Sequence, residues 1–368
     1  MNKVIIYYGA KEKFNQIIPK EYRNLTDLVY ESDKDGKIMK LVIPTQSGEY
    51  PKEEKEEKIF VKNFVISSDE YAGVREHVIT NFINFLAKFD VENLYIQNPP
   101  LQISEQIIRL YPKAEVKYQK YKQLTTSHLL KINEEYDNKI IGQENVKLEL
   151  LQAIFPLTMK YRQKPVVLLF YGKSGIGKTE TAKYLAKIIG EPIFRKQFSM
   201  YQNNQFATYL FGGAHYEKSF AKDLLDRKSN VLLLDEFDKA HPSFHSAFYQ
   251  LFDEGIYEDQ NYYLTLNKSI IICTSNYTDL KDIEDNLGSA IYNRFDKIIH
   301  FNDLSVESKM RIGQIAFEKY EKDFNYHLNE ATKQRLEESY TQCDNVRQIQ
   351  HTIENTFALS TILSRIKK

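Results

Sequence analysis

The stretch that most constrains this chain is Val166–Thr179, VVLLFYGKSGIGKT. Its first six residues are continuously apolar or aromatic, which reads as a strand buried on both faces. They run directly into Gly172-Lys173-Ser174-Gly175-Ile176-Gly177-Lys178-Thr179, the G-x-x-x-x-G-K-[ST] spacing of a phosphate-binding loop. Glycines let backbone N–H groups approach phosphate oxygens closely, and the following helix N-terminus adds a favourable dipole. Such an octet can arise by chance. Here a buried strand precedes it and a helical pattern (Glu180 to Ile189) follows, which is the context the motif requires. Lys178 then reads as the contact to the β- and γ-phosphates of ATP, and the Thr179 hydroxyl as a ligand of Mg²⁺.

Two more buried strands end in polar groups. Val231–Glu236, VLLLDE, closes on two carboxylates, and parallel sheets carry active groups at the C-terminal ends of their strands. Asp235 is placed to hold Mg²⁺ through water, and Glu236 to orient and activate the attacking water. A carboxylate pair can also simply cap the next helix; the phosphate loop upstream favours the catalytic reading. Ser269–Asn276, SIIICTSN, ends at Asn276, whose amide falls where it could reach the γ-phosphate or that water.

The rest of the chain is quieter. With 368 residues and 42% hydrophobic content, it has room for two or three domains with proper cores. Lys+Arg equals Asp+Glu at 50 each, which lacks the basic footprint of a nucleic-acid binder. Cys273 and Cys343 are too far apart for a metal motif, and low cysteine usage fits a cytoplasmic setting. No apolar run reaches the roughly 20 residues of a membrane span, and VIIYY is too short for a signal peptide. Residues 1–118 read as a small α/β domain with a partly parallel sheet. Its strands are expected at Val4–Tyr8, Ile38–Ile43, Ile59–Ile66, Leu94–Gln97 and Ala114–Tyr118, its helices at Asp69–Lys88 and Ile103–Leu110. Residues 119–138, polar and charged with helical character around Ser127–Tyr136, read as a linker. From Asn302 three helical patterns follow, the last with an apolar stripe at Val346, Ile349, Ile353 and Phe357.

With those residues quoted, 138–358 resembles the AAA+ ATPases, specifically the Clp-type unfoldases and disaggregases. The family's V-x-G-Q, which shapes the adenine pocket, resembles Ile140–Gln143. Its Walker A and Walker B segments resemble GKSGIGKTETAKYLAK and LLLDEFDKAHPSF, and its later D-[DE]-G resembles Asp253-Glu254-Gly255. Its sensor-1 strand resembles Ile271–Asn276, its arginine-finger segment Ile291–Asp296, and its sensor-2 turn the residues before Arg347. The resemblance covers roughly the last 60% of the chain. It implies an α/β fold: a large AAA+ domain with a parallel sheet (139–301) and a C-terminal helical lid (302–368), preceded here by the small α/β domain. It also implies a nucleotide site of Ile141, Gly172, Lys173, Ser174, Gly175, Ile176, Gly177, Lys178, Thr179 and Glu180. Catalytic roles fall to Glu236, Asn276, Arg294 and Arg347, and the metal to Thr179 and Asp235. Arg294 is expected to act in trans, in a homo-oligomeric ring, a hexamer.

Three departures qualify the expectation. The segment where the family carries a Gly-Tyr/Phe-Val-Gly pore loop is a shorter Phe211-Gly212-Gly213-Ala214-His215-Tyr216-Glu217, with Tyr216 as the candidate substrate-gripping aromatic. Tyr277–Asn293 carries no I/L-G-F/L tip, so docking to the Clp peptidase is not expected. The N-terminal region has neither a four-Cys zinc module nor a helical-repeat domain. The expected function is an ATP- and Mg²⁺-dependent machine that remodels or unfolds a protein partner, with no membrane and no nucleic-acid partner. The alternative is a nucleotide-gated switch that assembles on a partner, in a defence or mobile-element setting, without threading. A DNA-handling ATPase is a third reading, weakened by the balanced charge.

Overall fold

The computed structural model describes residues 1–35, 58–200 and 205–366. It clusters into two compact units: Met1–Lys120 with Asn204–Lys228 and Tyr257–Leu264, and Tyr121–Asn203 with Ser229–Ile256 and Thr265–Lys368.

The first unit is built on β1 (Lys3–Tyr8), β2 (Arg23–Asn24), β3 (Ile59–Ile66), β4 (Phe89–Gln97) and β5 (Glu115–Tyr118), in the order β2-β3-β4-β1-β5. Every pairing in this sheet is parallel, where a partly parallel sheet was expected; Ile96 of β4, for example, faces Ile6 of β1 and Ile66 of β3. Val4, Ile6, Val61, Phe64, Leu94 and Ile96 form its core with Ile103 and Ile107 of the helix Leu101–Leu110. The expected strand Ile38–Ile43 lies outside the described residues. The expected helix Asp69–Lys88 is instead a 3₁₀ turn, Glu70–Gly73, and two short helices, Glu76–Thr80 and Phe82–Leu86. Val74 is extended after Gly73, and Asn81 (φ −117°, ψ 41°) breaks the second junction. The apolar spacing marked burial correctly, since Val78, Phe82 and Phe85 are all buried, but it did not register these breaks.

Residues 204–228 and 257–264 were expected inside the nucleotide domain. They cluster instead with the first unit, against the loops that leave its strands. Lys11 N–H, after β1, donates to Asp226 Oδ1 (2.9 Å); Leu101 N–H, after β4, donates to the Asn261 carbonyl (2.8 Å). His215, buried, hydrogen-bonds through Nε2 to the Val74 carbonyl after β3 (2.9 Å). Ligands of open α/β sheets bind beyond the C-terminal ends of the strands. Here the chain's own later segments meet that end.

The second unit holds β6 (Val166–Tyr171), β7 (Phe194–Gln197) and β8 (Val231–Asp235), then, after the pair β9 (Ile256–Glu258) and β10 (Tyr263–Thr265), which falls mostly in the first unit, β11 (Ile270–Thr274) and β12 (Lys297–His300). Its five-stranded sheet runs β12-β6-β11-β8-β7, all parallel. Every residue of β8 and β11 is buried, and Cys273 is a core residue of β11. Three helices follow β12: Val306–Phe324 capped by Ser305, Glu330–Thr341 capped by Asn329, and Val346–Ile366. Ile349, Ile353 and Phe357 are fully buried, with Val346 partly so. The stretch expected as a linker is in fact structural. Thr125 caps a helix, Thr126–Lys139, which buries Leu129, Ile132 and Tyr136 in the core of this unit, and the Tyr136 hydroxyl meets Thr181 Oγ1 at 3.2 Å. The helical character expected around Ser127–Tyr136 is present, and its i, i+3, i+7 apolar stripe packs it into that core.

A fragment beginning at Gln119 loses Lys11, Val74 and Leu101 as partners for the later segments. Trypsin should then cut it within 205–228 under conditions where the full chain resists. Equal resistance would show that this segment folds without the N-terminal sheet.

Candidate nucleotide-binding site

The loop between β6 and the helix Lys178–Ile189 has Gly172 at φ 130° and Gly177 at φ 118°, left-handed conformations that glycine adopts without a Cβ clash. At Gly172 space is also lacking: a Cβ would lie 2.5 Å from the Phe301 carbonyl oxygen. The loop is held from two sides. Gln143, fully buried, donates to the Ile176 carbonyl (3.1 Å) and exchanges hydrogen bonds with the Asn302 backbone. The Val346 N–H, opening the last helix, donates to the Gly175 carbonyl (3.0 Å).

Beside this loop lies a cavity of about 610 Å³. Ile140 and Ile141 line one part, Gly175 through Glu180 another, and Arg347 projects from the last helix. Gly172, Lys173 and Ser174 are not among the lining residues, and the Lys173 side chain pairs outward with Asp303. Lys178 Nζ folds over the loop, donating to the Gly172 and Lys173 carbonyls (2.5 and 2.6 Å) and to Asn276 Oδ1 (3.3 Å). Burial pushes the Lys178 ammonium down to about 8; Asp238 and Asp235 oppose that shift and Arg347 adds to it.

Asp235, at the end of β8, is buried and fully engaged. Its Oδ1 accepts from Thr274 Oγ1 (2.6 Å) and Thr179 Oγ1 (3.4 Å), and its Oδ2 accepts from Arg195 Nε and Nη2 (3.0 and 2.5 Å). Thr179 and Asp235 thus bring two hard oxygen donors together. A small hydrated dication such as Mg²⁺ takes few protein oxygens plus phosphate and water, and the pair fits that demand. Glu236 has φ 56°, ψ 44°, a strained backbone for a non-glycine residue. Its N–H donates to Thr274 Oγ1 (2.9 Å) and its Oε2 accepts from Gln197 Nε2 (3.1 Å).

Sequence reading of the site left out Gln143, Arg195, Gln197 and Asp238. The first had a signal, the V-x-G-Q resemblance, but no role. Arg195 and Gln197 sit two apart on a strand and so share a face, a regularity visible only once the neighbouring strand is known. Asp238, with its side chain 1% exposed, accepts from the Asn276 N–H at 3.4 Å. Arg294 does not line the cavity of its own chain. Its Nε donates to Asp253 Oδ2 (2.8 Å), and its guanidinium lies 4.2 Å from the Tyr249 ring centroid. Arg294 therefore has an acidic partner, from the D-E-G segment, which its own neighbourhood in sequence did not reveal. Asp296 is structural: it accepts from Arg162 Nη2 with both oxygens and from the Val167 N–H.

Residues 163–339 match the family described as AAA domain (Cdc48 subfamily). Over these residues the chain is similar to the AAA+ ATPases of the Clp type. It is 28% identical to chaperone protein ClpB of Malacoplasma penetrans, over 65% of this chain and 39% of that protein. It is 26% identical to the ATP-dependent Clp protease ATP-binding subunit ClpE of Lactococcus lactis, over 68% and 38%. It is also 28% identical to the mitochondrial disaggregase of Rattus norvegicus, over 58% and 33%. The chain therefore spans about two-fifths or less of the length of these relatives. A closed-state reconstruction of Hsp104 with ATPγS and FITC-casein superposes with a TM-score of 0.55 at 21% identity, over 82% of this chain and 61% of that one, a likeness of fold. No helix among the described residues is long and apolar enough to cross a membrane.

The Lys178 shift has a definite sign. Its folded-state pKa of about 8 lies below the 10.5 of a solvated lysine, so between these pH values the unfolded chain holds a proton that the folded chain has released. Stability from this group therefore rises with pH across that window. Relative to Lys178→Met, the wild type should gain on the order of 2–3 kcal/mol between pH 8 and 10, read from denaturant unfolding at each pH. A flat difference would place the ammonium in water.

Proposed function

We propose that this chain is an ATP- and Mg²⁺-dependent machine that remodels or unfolds a protein partner in the cytoplasm, without an attached peptidase. The observation that carries this reading is the meeting of Lys178, Thr179 and Asp235 beside a cavity that the Arg347 helix lines. In this reading the Gly172–Thr179 loop cradles the phosphates, with Lys178 compensating their charge. Ile141 packs on the adenine, and Glu180 lies at the cavity rim. Thr179 and Asp235 hold Mg²⁺, which when bound supplies charge neutralisation along the phosphates. Glu236 takes the proton of the attacking water, and Asn276 holds that water or the terminal phosphate from the end of β11. Arg347 couples the last helix to the phosphates.

Lys178→Ala should lose nucleotide binding, because phosphate charge goes uncompensated in a partly dry site. Glu236→Gln should bind ATP and turn it over at least about a hundredfold more slowly, as expected of a lost general base. Wild-type turnover by Glu236→Gln would remove the general-base assignment.

Arg294 belongs to the neighbouring subunit's site in this reading, within a homo-oligomeric ring of six. A planar, permanently charged group suits the charge that builds on a transferring phosphoryl group. Arg294→Ala should bind ATP and hydrolyse it poorly. Mixed with Glu236→Gln, it should regain part of the turnover, because some interfaces then pair an intact Glu236 with an intact Arg294. Co-assembly without recovery would place the arginine's action elsewhere.

One observation favours the alternative, a nucleotide-gated switch that assembles on a partner without threading it. The segment 211–217 is braced. The Gln260 N–H donates to the Phe211 carbonyl, Asn261 Nδ2 to the Gly213 carbonyl, and Lys222 Nζ to the His215 and Glu217 carbonyls. Tyr216 itself is 59% exposed on this fixed base. A threading loop must move with its cargo. Tyr216→Ala should keep basal ATPase and lose remodelling of a partner if the aromatic grips substrate; undiminished remodelling would favour the switch.

A further inference from the structure

Arg195 lies on β7, opposite Leu233 of β8, and the alternation of a strand puts it on the same face as Gln197. The two side chains reach the two carboxylates that follow: Arg195 reaches Asp235, and Gln197 reaches Glu236. Arg195 also lines the cavity, together with Lys178 and Arg347. Its side chain keeps 41% of its exposure, whereas that of Asp235 keeps 8%. The carboxylate is therefore the fixed member of the pair, and the guanidinium is the member that still faces open space.

The donor inventory shows what is left over. A guanidinium has five N–H donors in a rigid plane and stays charged at every working pH. Nε and Nη2 both donate to Asp235 Oδ2, and among the described residues Nη1 has no protein acceptor. The other oxygen of Asp235 faces Thr179. Thr179 and Asp235 would hold Mg²⁺ beside the phosphates, and the guanidinium on the opposite oxygen of Asp235 is then a second cation at the same end of the site.

We propose that Arg195 is a further nucleotide-binding residue: braced by Asp235, its guanidinium donates to the terminal phosphate of ATP and so separates ATP from ADP. This inference rests on reading the cavity as the ATP site. Unlike Arg294, Arg195 acts from the same chain as the phosphate loop, and unlike Arg347 it comes from the sheet, so its position does not depend on the last helix.

The test is equilibrium binding to the full chain, with a fluorescent ADP displaced by ATPγS or by unlabelled ADP, in Mg²⁺ and again in EDTA. Lys178→Ala marks the site and should bind neither nucleotide. Arg195→Gln should bind ATPγS about tenfold or more weakly, the size expected for a lost hydrogen bond to a charged group, and ADP within about twofold of wild type. The ATPγS loss should persist in EDTA, because the contact is to phosphate and not through the metal. Arg195→Lys keeps Asp235 paired and should recover part of the affinity, and its ADP binding reports an intact fold. Unchanged ATPγS affinity in Arg195→Gln, an equal loss for both nucleotides, or a loss seen only with Mg²⁺ would each overturn the inference while leaving the ATP site standing. Full nucleotide binding by Lys178→Ala would remove the site reading, and this inference with it.

Discussion

The nucleotide end of this molecule depends on one backbone constraint: the turn from β6 into the helix Lys178–Ile189, with glycine in left-handed conformation at Gly172, Gly175 and Gly177. Without that turn the Lys178 ammonium could not fold back over the loop carbonyls, and Thr179 could not come within reach of Asp235. The loop is held by neighbours distant in sequence. Gln143 ties it to the chain before β6 and to Asn302 after β12, and Val346 ties it to the last helix. A change in the last helix therefore has a direct mechanical route to the loop through one hydrogen bond, Val346 N–H to the Gly175 carbonyl.

Much of the second unit was legible in the sequence because its strands are buried on both faces. Val166–Tyr171, Val231–Asp235 and Ile270–Thr274 are continuous apolar runs whose C-terminal residues carry the chemistry, a pattern that needs no tertiary knowledge to read. What escaped was of two kinds. Amphipathic pieces with strongly charged outer faces showed their helical character but not their packing, as with Thr126–Lys139, whose buried Ile132 and Tyr136 sit among lysines and glutamates. Pairings between elements distant in sequence were invisible, as with Arg195 on Asp235 across the sheet and Asp253 on Arg294 between two helix ends, because each joins residues some 40 positions apart.

The first unit shows the other limit of local reading. Its strands β1 and β3 fall where apolar runs placed them, and β4 ends at Gln97 as expected but begins at Phe89, five residues before the expected Leu94. Nothing local, however, signalled that Asp226, His215 and Asn261 meet the loops beyond those strands. The loops beyond the strands of the N-terminal sheet and the 205–228 segment share hydrogen bonds. The segment 211–217 is braced by Gln260, Asn261 and Lys222, which is why a motor and a switch remain distinct readings of this chain.

The central claim, that this cavity holds MgATP against the Gly172–Thr179 loop, is tested most directly by an experimental structure of Glu236→Gln with ATP and Mg²⁺. The account predicts phosphates along Gly172–Thr179, the metal between Thr179 and Asp235, and the base against Ile140 and Ile141. Nucleotide bound away from this loop, or a metal held without either Thr179 or Asp235, would contradict it.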